Sequence, residues 1–149
     1  MVQHKLLGAS LFALLSLFIS SELFAQADVI EKRQALMKSN SAATKAIKGA
    51  VETKDYATIE TKARDIVGNA DKIVDAFPKG STKGKTKATD AIWDKSDDFA
   101  KGAKNLRKAA GELADAAKAM DAGIDVKVKA VGDVCGGCHK AFRAEKYSE

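Results

Sequence analysis

The stretch Ile124-Asp125-Val126-Lys127-Val128-Lys129-Ala130-Val131-Gly132-Asp133-Val134-Cys135-Gly136-Gly137-Cys138-His139-Lys140-Ala141-Phe142 lies close to the C-terminus and decides how the rest of the chain is read. Ile124, Val128, Val131, Cys135, Cys138, His139 and Phe142 follow one another at steps of one, three and four, so on a helix they share one face. That face mixes core residues with two thiols and an imidazole. Whatever the thiols and the imidazole hold therefore belongs inside the fold rather than on its surface.

Cys135-x-x-Cys138-His139 has the spacing of a c-type haem attachment site: two thiols add to the two vinyl groups of the macrocycle, and the next imidazole binds iron from one face. A redox dithiol of the thioredoxin type would want a βαβ setting, and this Ala- and Lys-rich sequence does not offer one. Structural zinc wants four ligands, and no second Cys pair exists. Both alternatives, like a plain disulfide, leave His139 without a task. The glycines between the cysteines cost roughly 1 kcal/mol of helix stability each relative to Ala. They either let a porphyrin edge approach the backbone or are merely tolerated.

The other end of the chain reads as an export signal. His4 and Lys5 precede an apolar run over residues 6–19, and Ala25-Gln26-Ala27 supplies a small-x-small cleavage site. The run falls short of the roughly 20 residues that span a bilayer, so residues 1–27 are expected to be cut off, leaving no stable membrane span. The remaining 122 residues, 28–149, suit one compact domain. Periplasmic location follows, because covalent haem attachment of this kind belongs to the outer side of a bacterial inner membrane.

Cleavage would remove His4 and leave His139 as the one imidazole of the mature chain. Acid–base work by a second His is then excluded, and an enzyme is not expected. The net charge of +5 survives cleavage, since one Lys and one Glu leave together. Two haem propionates would bring it down by about two if both are ionised, leaving a mildly basic protein suited to acidic redox partners. Nucleic-acid binding is not supported, because aromatic residues are not interleaved with the basic ones. Lys79, Lys83, Lys85 and Lys87 read as a solvated basic loop.

Working outward, hydrophobic periodicity predicts three more helices. Residues 29–51 carry Val29, Arg33, Leu36, Met37, Asn40, Ala43, Ile47 and Val51 on one stripe. Residues 56–77 carry Ile59, Ala63, Ile66, Val67, Ala70, Ile73, Val74 and Phe77, ended by Pro78 and Gly80. A third helix, capped by Thr89 or Asp90, carries Ile92, Trp93, Ser96, Phe99, Ala103, Leu106, Ala110, Leu113, Ala117 and Met120. Four amphipathic segments with short connections predict an all-α, antiparallel up-down-up-down four-helix bundle. In that topology the first and last helices are neighbours, which makes the first the source of whatever faces the far side of the iron.

The C-terminal Cys135-Gly136-Gly137-Cys138-His139-Lys140-Ala141-Phe142-Arg143, the run Arg33-Gln34-Ala35-Leu36-Met37-Lys38, and Ala91-Ile92-Trp93-Asp94 followed by Phe99 together resemble class II cytochromes c, the cytochrome c′ family. The resemblance spans the expected mature chain. It implies one haem c bound covalently by Cys135 and Cys138, His139 as proximal ligand, Met37 over the distal face, and Arg33 directed at a propionate; it places Arg143 near the proximal imidazole. It also admits a homodimer. If the Met37 thioether binds iron, the centre is six-coordinate and suits an electron carrier. If Met37 only packs there, the iron is five-coordinate and open to nitric oxide or carbon monoxide. The run from Gln34 to Asn40 is closer to the low-spin, Met-ligated branch. Met120, beside a turn, is the poorer candidate ligand, and Trp93 and Phe99 read as packing against haem or core.

Overall fold

The computed structural model describes residues 7–146, with side chains described from residue 27 onward. Five helices follow in order: α1 (Leu7–Thr53), α2 (Tyr56–Ala70), α3 (Ala91–Asp94), α4 (Ser96–Lys118) and α5 (Ile124–Phe142). Four of them are long and form the expected bundle; α3 is a single turn. The expected signal segment, 1–27, lies almost wholly outside the residues whose side chains are described. Among the described residues no helix is long and apolar enough to cross a membrane.

The four stripes converge on one core. Ile47, Ile59, Ala63, Ile66, Ala110, Leu113 and Val131 are fully or almost fully buried, and each such Ile or Leu side chain contributes about 2 kcal/mol of transfer free energy. Helix α2 packs broadly on α1 and on α4, and α4 packs on α5, whereas α1 and α5 touch at few points. The first and last helices thus face each other across a gap instead of interlocking.

Chain reversals explain where the helices stop. Lys54 and Met120 both adopt left-handed backbone, with φ of 55° and 51°. At each, the next residue's N–H reaches back five residues: Asp55 N to Ala50 O at 2.9 Å, and Asp121 N to Ala116 O at 3.0 Å. Lys54 N and Met120 N close the inner bonds to Val51 O and Ala117 O. Both ends are Schellman caps built without glycine. Asp55 then starts α2, its carboxylate accepting from Thr58 N at 3.0 Å and from the Thr58 hydroxyl at 2.6 Å; these two bonds hold its pKa below the ordinary aspartate value.

Three expectations are corrected. Helix α2 ends at Ala70, not Phe77, and the chain continues in tight turns whose bonds include Ile73 N to Ala70 O and Phe77 N to Val74 O. Tighter winding rotates Ile73 inward and leaves Val74 45% exposed, so the predicted stripe splits. The third helix is broken at Lys95, whose φ of −123° and ψ of 48° leave the helical region. Its first turn is tied elsewhere, since Trp93 Nε1 donates to Phe77 O at 3.0 Å. Neither expected cap acts as one: Asp90 holds the cap position without capping and accepts from Thr82, while the Thr89 hydroxyl donates to Phe142 O.

Met120 is 69% exposed and is not part of the buried core. Met120→Gly relieves the left-handed strain at the expense of a more flexible unfolded chain, a net gain of about 0.5–1 kcal/mol. Thermal unfolding should register a higher midpoint with an unchanged far-ultraviolet spectrum.

Candidate functional site

Between α1 and α5 lies a cavity of about 680 Å³, within the size range of pockets that take small molecules and cofactors. Arg33, Met37, Asn40 and Ser41 line it from α1; Phe99, Gly102, Ala103 and Leu106 from α4; Cys135, Cys138, His139 and Phe142 from α5. All five residues singled out from the sequence, Arg33, Met37, Cys135, Cys138 and His139, thus stand in one wall system. Met120, exposed at the end of α4, is not among the lining residues.

Helical spacing presents the reactive groups of α5 as expected. Cys135 and Cys138 are free thiols, half-buried. Burial pushes both thiols up, with the neighbouring Cys135 adding to the effect at Cys138, so both are protonated at neutral pH. His139 sits at the mouth, and its imidazole is pushed down, first by burial and then by the charge of Arg143 one turn on. The neutral ring this favours is the form that can bind a metal.

Two of the site's features are not legible in the sequence pattern. Gly102 faces Cys138: a Cβ placed there would lie 3.6 Å from Cys138 Sγ. A glycine inside α4 costs about 1 kcal/mol, and the close approach of α5 gives it a reason. That unexplained cost is the available signal. A Cβ added at Gly136 or Gly137, by contrast, would meet nothing within 4 Å beyond its own stretch of helix, so the tight helix contact lies at Gly102.

The second is the segment joining α2 to α3, which is stitched down rather than loose. Ala88 pairs with Arg143 in an isolated antiparallel bridge, and Ala144 N donates to Lys87 O at 2.8 Å. Lys87 Nζ donates to Glu145 O at 2.6 Å, so the expected solvated basic loop is corrected at this residue; Lys79, Lys83 and Lys85 are exposed. On its other side the segment is gripped by Arg33, only 2% exposed. Arg33 Nη1 donates to Ser81 Oγ at 2.6 Å, and Nη2 to Ser81 O at 2.6 Å and Thr86 Oγ1 at 2.7 Å. Its guanidinium lies 5.0 Å from the Phe77 ring centroid. Among the described residues it has no ion-pair partner, and burial lowers its pKa. Phe77, Phe99 and Phe142 stack edge to face at 5.1 and 5.2 Å, forming an aromatic floor.

The set fits a covalently bound haem. Two thiols three residues apart, an adjoining neutral imidazole, a thioether on the facing helix and a buried cation share one largely apolar cavity.

The sequence model of the family described as Cytochrome C′ matches residues 28–143. Cytochrome c-556 of Agrobacterium tumefaciens (strain II Chrys) is 32% identical over 120 residues, which is 78% of this chain and 98% of that one. Cytochrome c′ of Rhodospirillum rubrum is 35% identical over 121 residues, 78% of this chain and 82% of its own. Among solved structures, cytochrome c′ from Thermochromatium tepidum superposes with a TM-score of 0.74 at 26% identity, covering 80% of this chain and 97% of that one.

Substitutions at two positions test these walls. Gly102→Ala should be accepted, since its methyl meets Cys138 at ordinary contact distance, whereas Gly102→Leu should wedge α5 away and lower the haem-loaded fraction, read as the share of intact mass carrying the added group. Arg33→Met removes the donor to Ser81 O and Ser81 Oγ and leaves Thr86 Oγ1 with the bond from Ala88 N at 3.1 Å, and should cost about 2–4 kcal/mol in chemical denaturation.

Proposed function

Because the chain belongs to the cytochrome c′ family and its cofactor is a covalently attached haem c, we propose that it is an exported, periplasmic electron carrier in which His139 and Met37 would hold the haem iron. The observation that carries this reading is that Met37 and His139 line the same cavity from its two facing helices. Cleavage after residue 27 and the absence of a catalytic reaction of its own are part of the proposal. So is assembly as a homodimer, supported by a solved cytochrome c′ relative whose dimer dissociates under ligand control.

When bound, the haem supplies a one-electron iron centre. The protein's residues do the rest. Cys135 and Cys138 would hold the group on α5 as thioethers, each S–H adding across one vinyl C=C so that sulfur bonds one carbon and the hydrogen goes to the other. His139 offers a neutral nitrogen from one side. Met37 offers a soft, uncharged sulfur from the other, and such a ligand favours the ferrous state and raises the potential. Arg33 sets a buried positive charge beside the cavity, where two of its five N–H donors remain for a propionate. Phe77, Phe99 and Phe142 keep water from the floor, so little solvent has to reorganise when one electron arrives.

A second reading keeps Met37 as packing, so that the iron is five-coordinate and binds nitric oxide or carbon monoxide. Its support is the kinship to proteins described as cytochrome c′ and the habit of Met to fill irregular core space. One visible spectrum divides the two. Met ligation should give the narrow bands of a low-spin c haem, unmoved by carbon monoxide, with a weak Met–iron charge-transfer band that disappears in Met37→Ala. A high-spin spectrum that shifts at once with carbon monoxide would establish the gas binder instead.

A further inference from the structure

The wall of the cavity is electrostatically one-sided. Its lining includes Arg33, Lys38, Lys45, Lys48, Lys87 and Arg143, six basic residues, and not one Asp or Glu, although the chain contains 20 acidic residues. The ion pairs of the described residues lie elsewhere: Lys62–Asp65, Arg64–Glu60, Arg64–Asp115, Arg107–Asp71, Lys108–Glu112, Lys127–Glu112 and Lys129–Asp133 join α2, α4 and α5 and the turn after α2. Acidic groups thus neutralise lysines and arginines away from the cavity and leave Lys38, Lys45 and Lys48 at its edge without carboxylates.

With Lys87 set aside because it is engaged by the end of the chain, two haem propionates offset about two of the remaining five charges, which leaves a surplus of about three. The surplus is carried largely by α1. Lys38, Lys45 and Lys48 are exposed, sit within three helical turns of one another, and have no ion-pair partner among the described residues. Arg143, exposed and also lining the cavity, continues the patch on the α5 side.

We propose that this lysine-edged mouth, with Lys38, Lys45 and Lys48 as its principal contacts, is the docking surface for the acidic face of a redox partner protein. The inference rests on the electron-carrier reading and adds the place where an acidic partner lands. Lysines without carboxylate partners at a rim steer an anionic surface toward the mouth of the cavity, and they lose little by remaining hydrated until contact. One electron crosses and no atom moves between the partners.

The test uses the haem-loaded protein and two triple variants of equal charge. One carries Lys38→Gln, Lys45→Gln and Lys48→Gln; the control carries Lys104→Gln, Lys108→Gln and Lys118→Gln on α4. Stopped-flow oxidation of the ferrous protein by hexacyanoferrate(III), and reduction of the ferric protein by the hexaammineruthenium(II) cation, report the local charge where electrons leave and enter. The proposal expects the mouth variant to be oxidised by the anion about three- to tenfold more slowly at low ionic strength, with the difference closing at high salt. The cation should react with it no more slowly than with the original protein, and the control should change far less. Equal slowing in both variants, or none in either, overturns it. Co-sedimentation with vesicles of equal phosphatidylglycerol and phosphatidylcholine supplies the other arm: binding lost only in the mouth variant, with unchanged kinetics toward both reagents, would assign the patch to lipid and overturn a protein partner. The visible spectrum of the same samples reports iron ligation without involving the lysines, so failure of the carrier reading and failure of this docking site are seen separately.

Discussion

The Arg33 guanidinium is the joint on which the architecture of the site depends. From α1 it grips the segment after α2 through Ser81 and Thr86, and that segment grips the end of α5 through the Ala88–Arg143 bridge and Ala144 N. Helices α1 and α5 are thereby spaced through an intermediary rather than by their own contact. A bundle held only by apolar stripes would close these two helices on each other, because burial is non-directional and favours the smallest surface. Hydrogen bonds with fixed lengths and angles set a separation instead, and the cavity between Met37 and His139 is its consequence.

The same arrangement explains which parts of the fold are legible in the chain. Residues at steps of three and four share a helix face whatever surrounds them, so spacing alone places Cys135, Cys138 and His139 together, and Arg33 with Met37. The up-down topology follows from short connections, as at Lys54-Asp55. What periodicity hides involves partners far apart in sequence: Arg33 to Thr86 spans 53 positions, as does Thr89 to Phe142. The end of α2 at Ala70 belongs to this class too. Ile73, Val74 and Phe77 keep helical spacing, but the Trp93 bond to Phe77 O favours tighter turns there. Periodicity cannot register such a competitor.

Helix ends escape sequence reading for a different reason. Glycine is the usual residue for a left-handed helix end, and Gly49 and Gly123 lie near two of the breaks. The chain uses Lys54 and Met120 instead. A left-handed non-glycine residue costs about 1–2 kcal/mol, and the Schellman bonds together with the buried stripes on either side offset it. Gly102 shows the converse, where glycine serves helix packing rather than backbone freedom.

The choice between a Met-ligated carrier and an open gas site reduces to the freedom of one side chain. Four residues before Met37, Arg33 is fastened to the segment after α2; three residues after it, the buried Asn40 carboxamide oxygen accepts from Asn69 Nδ2 at 2.8 Å. Its backbone is therefore held on both flanks, and Met37 can neither approach nor retreat by bending α1 without breaking one of these anchors. Only its three side-chain torsions remain to bring sulfur toward His139's side of the cavity or turn it into the wall. Fixing them costs on the order of 1–2 kcal/mol of rotamer entropy, so even a modest sulfur–iron bond prevails unless core contacts compete for the thioether. Those contacts exist, since Met37 packs beside Leu36 against the buried cluster, and their strength relative to that bond decides the function of the iron.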